Sequence, residues 1–261
     1  MKAMHTAATG MDAQVMRIDT IANNLANAQT TGYKETQADF ADLMYESVHR
    51  PGGARTQQTS MPSGLQIGSG VKPVSTLKVF TQGSLKKTDG KLDMAIEGRG
   101  FFQVEGPNGQ VYYTRDGNFS VNSEGTVVNS EGYRLYPTLS VPREAQSIEI
   151  GSDGTVTVKM PGDAGQTEVG SIQLATFANP GGLSSEGGNL YAETAASGSP
   201  QTLAPGSEGA GSLQQGYLEK SNVDVVSELV DLIRAQRTYE LNSKVVKAGD
   251  RVLRASNRLL G

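Results

Sequence analysis

The sequence predicts an α+β protein in which N- and C-terminal helices form a coiled-coil domain and a central all-β domain is inserted between them. Three observations carry that expectation. Apart from Gly10, Gly249 and Gly261, all of the 32 glycines lie between Gly32 and Gly216, and all 10 prolines lie between Pro51 and Pro205; the ends therefore lack chain breakers. Both ends repeat apolar residues at alternating spacings of four and three, the mark of a helical seam. The middle consists of short alternating runs bounded by Gly, Asn, Asp or Pro, the mark of strands joined by turns.

The N-terminal helix segment is assigned to residues 1–33. Its seam is Met4, Ala8, Met11, Val15, Ile18, Ala22 and Leu25. Asn23, Asn24 and Asn27 stand near its end, although asparagine competes for backbone groups and is a mediocre helix former. In a crowded bundle their short amides can bond across helix contacts or cap the helix before Gly32, fixing register where leucine would allow sliding. Residues 34–74 form an extended linker: from Glu46 to Gly70 the chain is poor in large apolar residues and rich in Gly, Ser, Thr and Gln, too little to bury for independent folding.

Residues 75–204 are the β-rich domain. "STLKVF", "DMAIEG", "FFQVEG", "QVYYT", "YRLYP", "SIEIG", "TVTVKM" and "GSIQLATF" read as its strands. "NSEG" occurs at Asn122 to Gly125 and again at Asn129 to Gly132, each placing glycine where a hairpin turn needs positive φ. Residues 205–222 lead back as a second linker to a C-terminal helix at 223–261. There Val226, Val230 and Ile233 precede Leu241, Val245, Ala248, Val252, Ala255 and Leu259. Asp224, Glu228 and Asp231 stand early and Arg251, Arg254 and Arg258 late, which complements the helix dipole. Ser221 followed by Asp224 suggests a capped start. From Asp224 to Leu259 the helix would be roughly 50 Å long.

Ile21, Leu232, Tyr239, Val246, Leu253 and Leu260 lie off the main seams. A two-helix pair has one seam, so further apolar faces imply further neighbours, most simply other copies of the chain.

Composition excludes much else. Lys and Arg number 23 against 27 Asp and Glu, leaving no basic surplus for phosphates or an anionic membrane surface. No stretch approaches a membrane span. There is no cysteine, and His5 and His49 are the only histidines, so a zinc site is not expected; both histidines read as solvated or structural. The N-terminus has no apolar run resembling a signal-peptide core. No catalytic, cofactor-binding or metal site is expected. "GRGFF" lacks the lysine of a phosphate loop, "GLSSEG" has Glu186 where a nucleophile elbow needs glycine, and "TRDG" fits a type I turn. The acidic "NSEG" loops lack the spaced ligands of a calcium loop.

"IANNLANAQTTGYK" resembles the N-terminal signature of the bacterial flagellar rod and hook proteins, with Asn23, Asn24, Asn27, Thr31, Gly32 and Tyr33 at its centre. "VSELVDLIRAQRTYELNSKVVKAGDRVL" resembles the C-terminal helix of that family, and "EGRGFFQVEGPNGQVYYTRDGNFSVNSEGTVVNSEGY" its β segment. "MPSGLQIGSGVKPV", in and just beyond residues 46–70, is similar to a stretch typical of the distal-rod members. The resemblance implies a non-enzymatic subunit that polymerises into a rigid helical tube crossing the periplasm, transmitting torque and serving as an export channel. Met11, Val15, Ile18, Ala22 and Leu25, with the C-terminal seam from Val226 to Leu259, would form its interface. Implied partners are the chain itself, proximal rod subunits, the hook subunit, surrounding ring proteins and a flagellar export apparatus that needs no cleaved signal peptide; nucleic acid and direct membrane insertion are not implied. Rival readings are another axial subunit, proximal rod or hook, and a secreted coiled-coil oligomer displaying a β binding module. A hydrolase is the weakest, because no nucleophile and base can be named.

Overall fold

The computed structural model of the chain describes residues 2–49, 54–56, 59–60, 65–161 and 165–260. The side chains of His49, Leu259 and Leu260, and parts of the rod-type segment at 46–70, lie outside the described residues. The architecture is α+β: a helix α1 at Lys2–Ala26, a strand-rich centre, and a helix α2 at Val225–Leu260. Compact packing divides the chain into two units, one made of Met1–Leu25, Thr36–Leu77 and Asp224–Gly261, the other of Ala26–Glu35 and Lys78–Val223.

The first unit holds both helices. With 36 residues, α2 is ~54 Å long at ~1.5 Å per residue. It starts at Asp224, whose carboxylate accepts from the Val226 N–H at 3.1 Å and the Ser227 hydroxyl at 2.6 Å, so Asp224 itself is the cap. Ser221 instead accepts from the Val223 N–H. The helices run antiparallel. Asn24 bonds Glu228, Arg17 bonds Asp231, Gly10 faces Asn242 and Gly249 faces Met4. What meets is therefore mostly small or polar, Met4 excepted, and the two glycines leave the room their partners occupy.

Strands also occupy residues expected to be linker. Thr36–Asp42 pairs with Val71–Lys78, and Tyr45–His49 pairs antiparallel with Leu65–Gly68. Among the described residues these ribbons bury no apolar side chain, and Met44, Tyr45, Ile67 and Val74 are exposed.

The second unit is β structure built around Phe101–Glu105. That strand pairs with Val111–Thr114, Arg134–Tyr136 and Leu174–Thr176 within a nine-stranded sheet. It is buried on both faces: Phe102 and Val104 enter the larger core with Ile96, Phe119, Leu135 and Leu174, while Phe101 packs edge-on with Phe80, Phe177 and Tyr191. Aromatic pairs at such angles add to the burial energy. A three-stranded sheet, Ser147–Ile150, Thr155–Lys159 and Gln166–Ser171, lies in the same unit. The run "GSIQLATF" breaks after Ser171, where the Ile172 N–H turns to the Gly154 carbonyl at 2.8 Å.

Both "NSEG" loops are hairpin turns. Asn122 and Asn129 each accept two backbone N–H bonds through the side chain, and Gly125 and Gly132 both have φ of 86°. The last strands before α2, Ser212–Gln215 and Tyr217–Glu219, pair with Met94–Glu97 and Leu85–Lys87, so part of the expected return linker is sheet.

Candidate functional site

The residues between Asn24 and Lys34 are placed by two sets of bonds. In the first unit, Asn24 is 2% exposed. Its amide donates to the Thr36 carbonyl at 2.9 Å, accepts from the Thr36 N–H at 2.9 Å, and donates to the Glu228 carboxylate at 3.0 Å. A flat amide can meet a backbone N–H and C=O together, so this side chain acts as a strand partner for the start of Thr36–Asp42. Asparagine at this helix position thus satisfies groups that leucine could not. Asn23, next to it on the helix, is exposed.

In the second unit, the chain beyond Ala26 leaves the helix. The Thr30 N–H and hydroxyl both turn back to Asn27, at 3.1 and 3.2 Å. Asn189 donates to the Thr31 carbonyl at 2.9 Å. That asparagine occupies a two-residue turn with Gly188 in which φ is 55° and 59°, the geometry of a type I′ hairpin. Gly32 has φ of 69° and donates to the Glu219 carbonyl at 2.8 Å; a Cβ there would lie 2.6 Å from the Asp116 nitrogen. Tyr33 is buried, with the Lys78 ammonium 4.6 Å from its ring centre.

Lys34 is fully buried. Its Nζ lies 2.6 Å from Glu219 Oε1 and 2.7 Å from the Thr81 carbonyl. Glu219 also accepts from the Gly83 N–H at 2.9 Å and from Arg115 Nη1 at 3.4 Å. Arg115 donates in turn to the Gly98 carbonyl at 2.8 Å, and its guanidinium lies 5.4 Å from the Phe101 ring centre. One carboxylate therefore sits between two cations in the interior. Burial pushes the Lys34 ammonium below its usual range and the nearby carboxylate opposes that shift; Arg115 is lowered for the same reason. Beside them, burial raises the Asp116 carboxyl. A second tie runs alongside: Asn222 accepts from the Glu35 N–H at 2.7 Å and donates to the Val79 carbonyl at 2.8 Å. The segment that follows α1 and the segment that precedes α2 are thus fastened together at Gly32, Lys34 and Glu35.

The expected seam is only partly covered inside one copy. Met11, Ile18 and Leu25 are half-buried, whereas Val15 and Ala22 are exposed. On α2, Val226, Val230, Ile233, Leu241, Val245, Ala248, Val252 and Ala255 are all exposed. What a single chain buries on its helices is another row, Glu228 and Ala235 on α2 with Ala7, Ala13, Ile21 and Asn24 on α1. Sequence reading found Ile21 off the main seam but missed the rest of that row, because its other members are alanine or polar. Val226 and Val252 are 70% and 69% exposed, an apolar face without cover inside one copy. The described residues contain no group of acidic and histidine side chains able to hold a metal.

Residues 4–34 match the family model described as flagella basal body rod protein. Residues 95–158 match the flagellar hook protein FlgE/F/G D1 domain, and residues 214–259 the flagellar basal body rod FlgEFG protein C-terminal model. The chain is 46% identical over 251 residues, 96% of each chain, to the flagellar basal-body rod protein FlgG of Buchnera aphidicola subsp. Schizaphis graminum. Proteins of the same name from Caulobacter vibrioides and Borreliella burgdorferi are each 45% identical; the former covers 99% of both chains, the latter 99% of this chain and 98% of its own.

Proposed function

This chain belongs to the flagellar basal-body rod protein family, and from that premise we propose how it builds the distal rod of which it is a structural subunit. The family is structural and the chain is not an enzyme; its place is the flagellar basal body. No described helix is long and apolar enough to cross a membrane.

Copies of the chain join through their terminal helices into a stiff helical tube. The observation that carries this reading is the uncovered apolar row of α2, from Val226 through Val230, Ile233, Leu241 and Val245 to Val252. Transferring apolar surface out of water is worth about 25 cal/mol per Å², and a single chain leaves that gain unused. Coiled-coil packing arises between copies, where α1 and α2 of one meet those of the next, and a heterologous contact repeated without closure gives a filament. The tube transmits torque through many small interfaces and encloses the export channel. Its neighbours are proximal rod subunits, the hook subunit and the surrounding ring proteins.

The test uses the full chain at rising concentration, followed by sedimentation and electron microscopy. Filaments are expected from the native sequence, and Val226→Asp or Val252→Asp should abolish them while circular dichroism stays unchanged. Filaments of normal yield from both variants, or a native chain that remains monomeric or closes into a small ring, would overturn the reading.

A further inference from the structure

Two rows of charge of opposite sign, one on each helix, lie opposite the faces that the helices bury within one chain. On α1, Asp12 and Asp19 are exposed, seven residues apart, with exposed Val15 between them. They lie on the face opposite Ala13, Ile21 and Asn24, the residues that α1 buries. On α2, Lys244, Arg251 and Arg258 are exposed at the same sevenfold step, with Ala248 and Ala255 between them, opposite the face of Glu228 and Ala235. A step of seven nearly closes two helical turns, so each row stays on one side. None of these five charges enters an ion pair with another described residue. Glu240 shares the basic face, where Arg237 balances it.

We propose that the acidic row of α1 docks on the basic row of α2 from a second copy, setting the axial register of the contact. This rests on the assembly reading above and deepens it. The occupant follows from charge complementarity. The spacing of seven on each helix lets two pairs form in one alignment and misaligns charge from apolar contact in a shifted one. Alanine and valine between the charges let the helices approach closely. Apolar packing alone tolerates sliding; opposite charges at a fixed step do not.

The experiment reverses each row in the full chain. Asp12→Lys with Asp19→Lys makes one variant, and Arg251→Glu with Arg258→Glu makes the other. Each alone should raise the concentration needed for filament formation about tenfold or more, since like charges then meet across the contact. Mixed in equal amounts the two variants should recover assembly, because each supplies the row that complements the other. Raising salt should weaken native assembly as screening shortens. Unchanged assembly of either variant, or no recovery in the mixture while the native chain assembles, overturns this proposal alone. Failure of the native chain to assemble overturns the assembly reading and this one with it.

Discussion

The Lys34 ammonium lies 2.6 Å from the Glu219 carboxylate, both out of contact with solvent, joining positions 185 residues apart. Arg115 approaches the other carboxylate oxygen at 3.4 Å. The arrangement is lopsided: two cations depend on one anion. Glu219→Gln should therefore cost about 3–5 kcal/mol, because it leaves both cations buried without a counter-charge. Lys34→Met should cost less, since Arg115 and Glu219 still neutralise one another. Denaturant unfolding of both variants checks the order, and equal costs would argue against it.

Asn24 predicts a local effect. In Asn24→Ala the Thr36 N–H and carbonyl lose their bonds to the amide in a part-buried setting. A loss of about 1–3 kcal/mol is expected, with faster hydrogen exchange at the Thr36 amide. Asn24→Asp keeps an acceptor for that amide but sets a second carboxylate against Glu228. Its stability should improve as pH falls and one carboxylate takes up a proton.

Gly32 is constrained twice over, by φ of 69° and by the Asp116 nitrogen 2.6 Å from where a Cβ would stand. Gly32→Ala should destabilise by about 2 kcal/mol or more, beyond the ordinary penalty of the left-handed region. Gly132 has φ of 86° but no atom near its Cβ position, so Gly132→Ala should cost only the backbone strain. Comparing thermal unfolding of the two separates conformation from crowding.

Asp116 gives a pH dependence. Burial raises its carboxyl in the folded chain above the usual value of 3.8, so the folded state holds the proton more tightly than the unfolded state does. The contribution is full below that value and is lost as pH rises through the folded one. Asp116→Asn can keep the bond from the Asn118 N–H without a charge. It should be more stable than the native chain at pH 7, and the difference should vanish in acid; unfolding curves at the two extremes decide it.

How much of this was legible beforehand depends on distance along the chain. The two helices, the strands and both "NSEG" turns follow from local periodicity and glycine placement, and they stand in the structure as α1, α2 and the Asn122 and Asn129 hairpins. The unusual asparagines pointed to the right place, but not to the partner of Asn24, because Thr36 and Glu228 are a matter of tertiary position. Lys34 looked like any lysine at the end of a motif, and Glu219 like any residue in a polar return segment. Nothing local marks two charges for burial when their meeting is created by the fold. The helices also carried two candidate faces, and the more apolar one attracted attention while the chain buried for itself the one holding Asn24, Glu228, several alanines and Ile21.

The fastening at Gly32, Lys34 and Glu35 has a mechanical consequence. Strain entering along the chain after α1 finds the outgoing segment only a few bonds away, at Glu219 and Asn222, before it reaches the strands between residues 36 and 218. The same fastening grips the sheet as well, because Arg115, which faces Glu219, lies over the Phe101 ring.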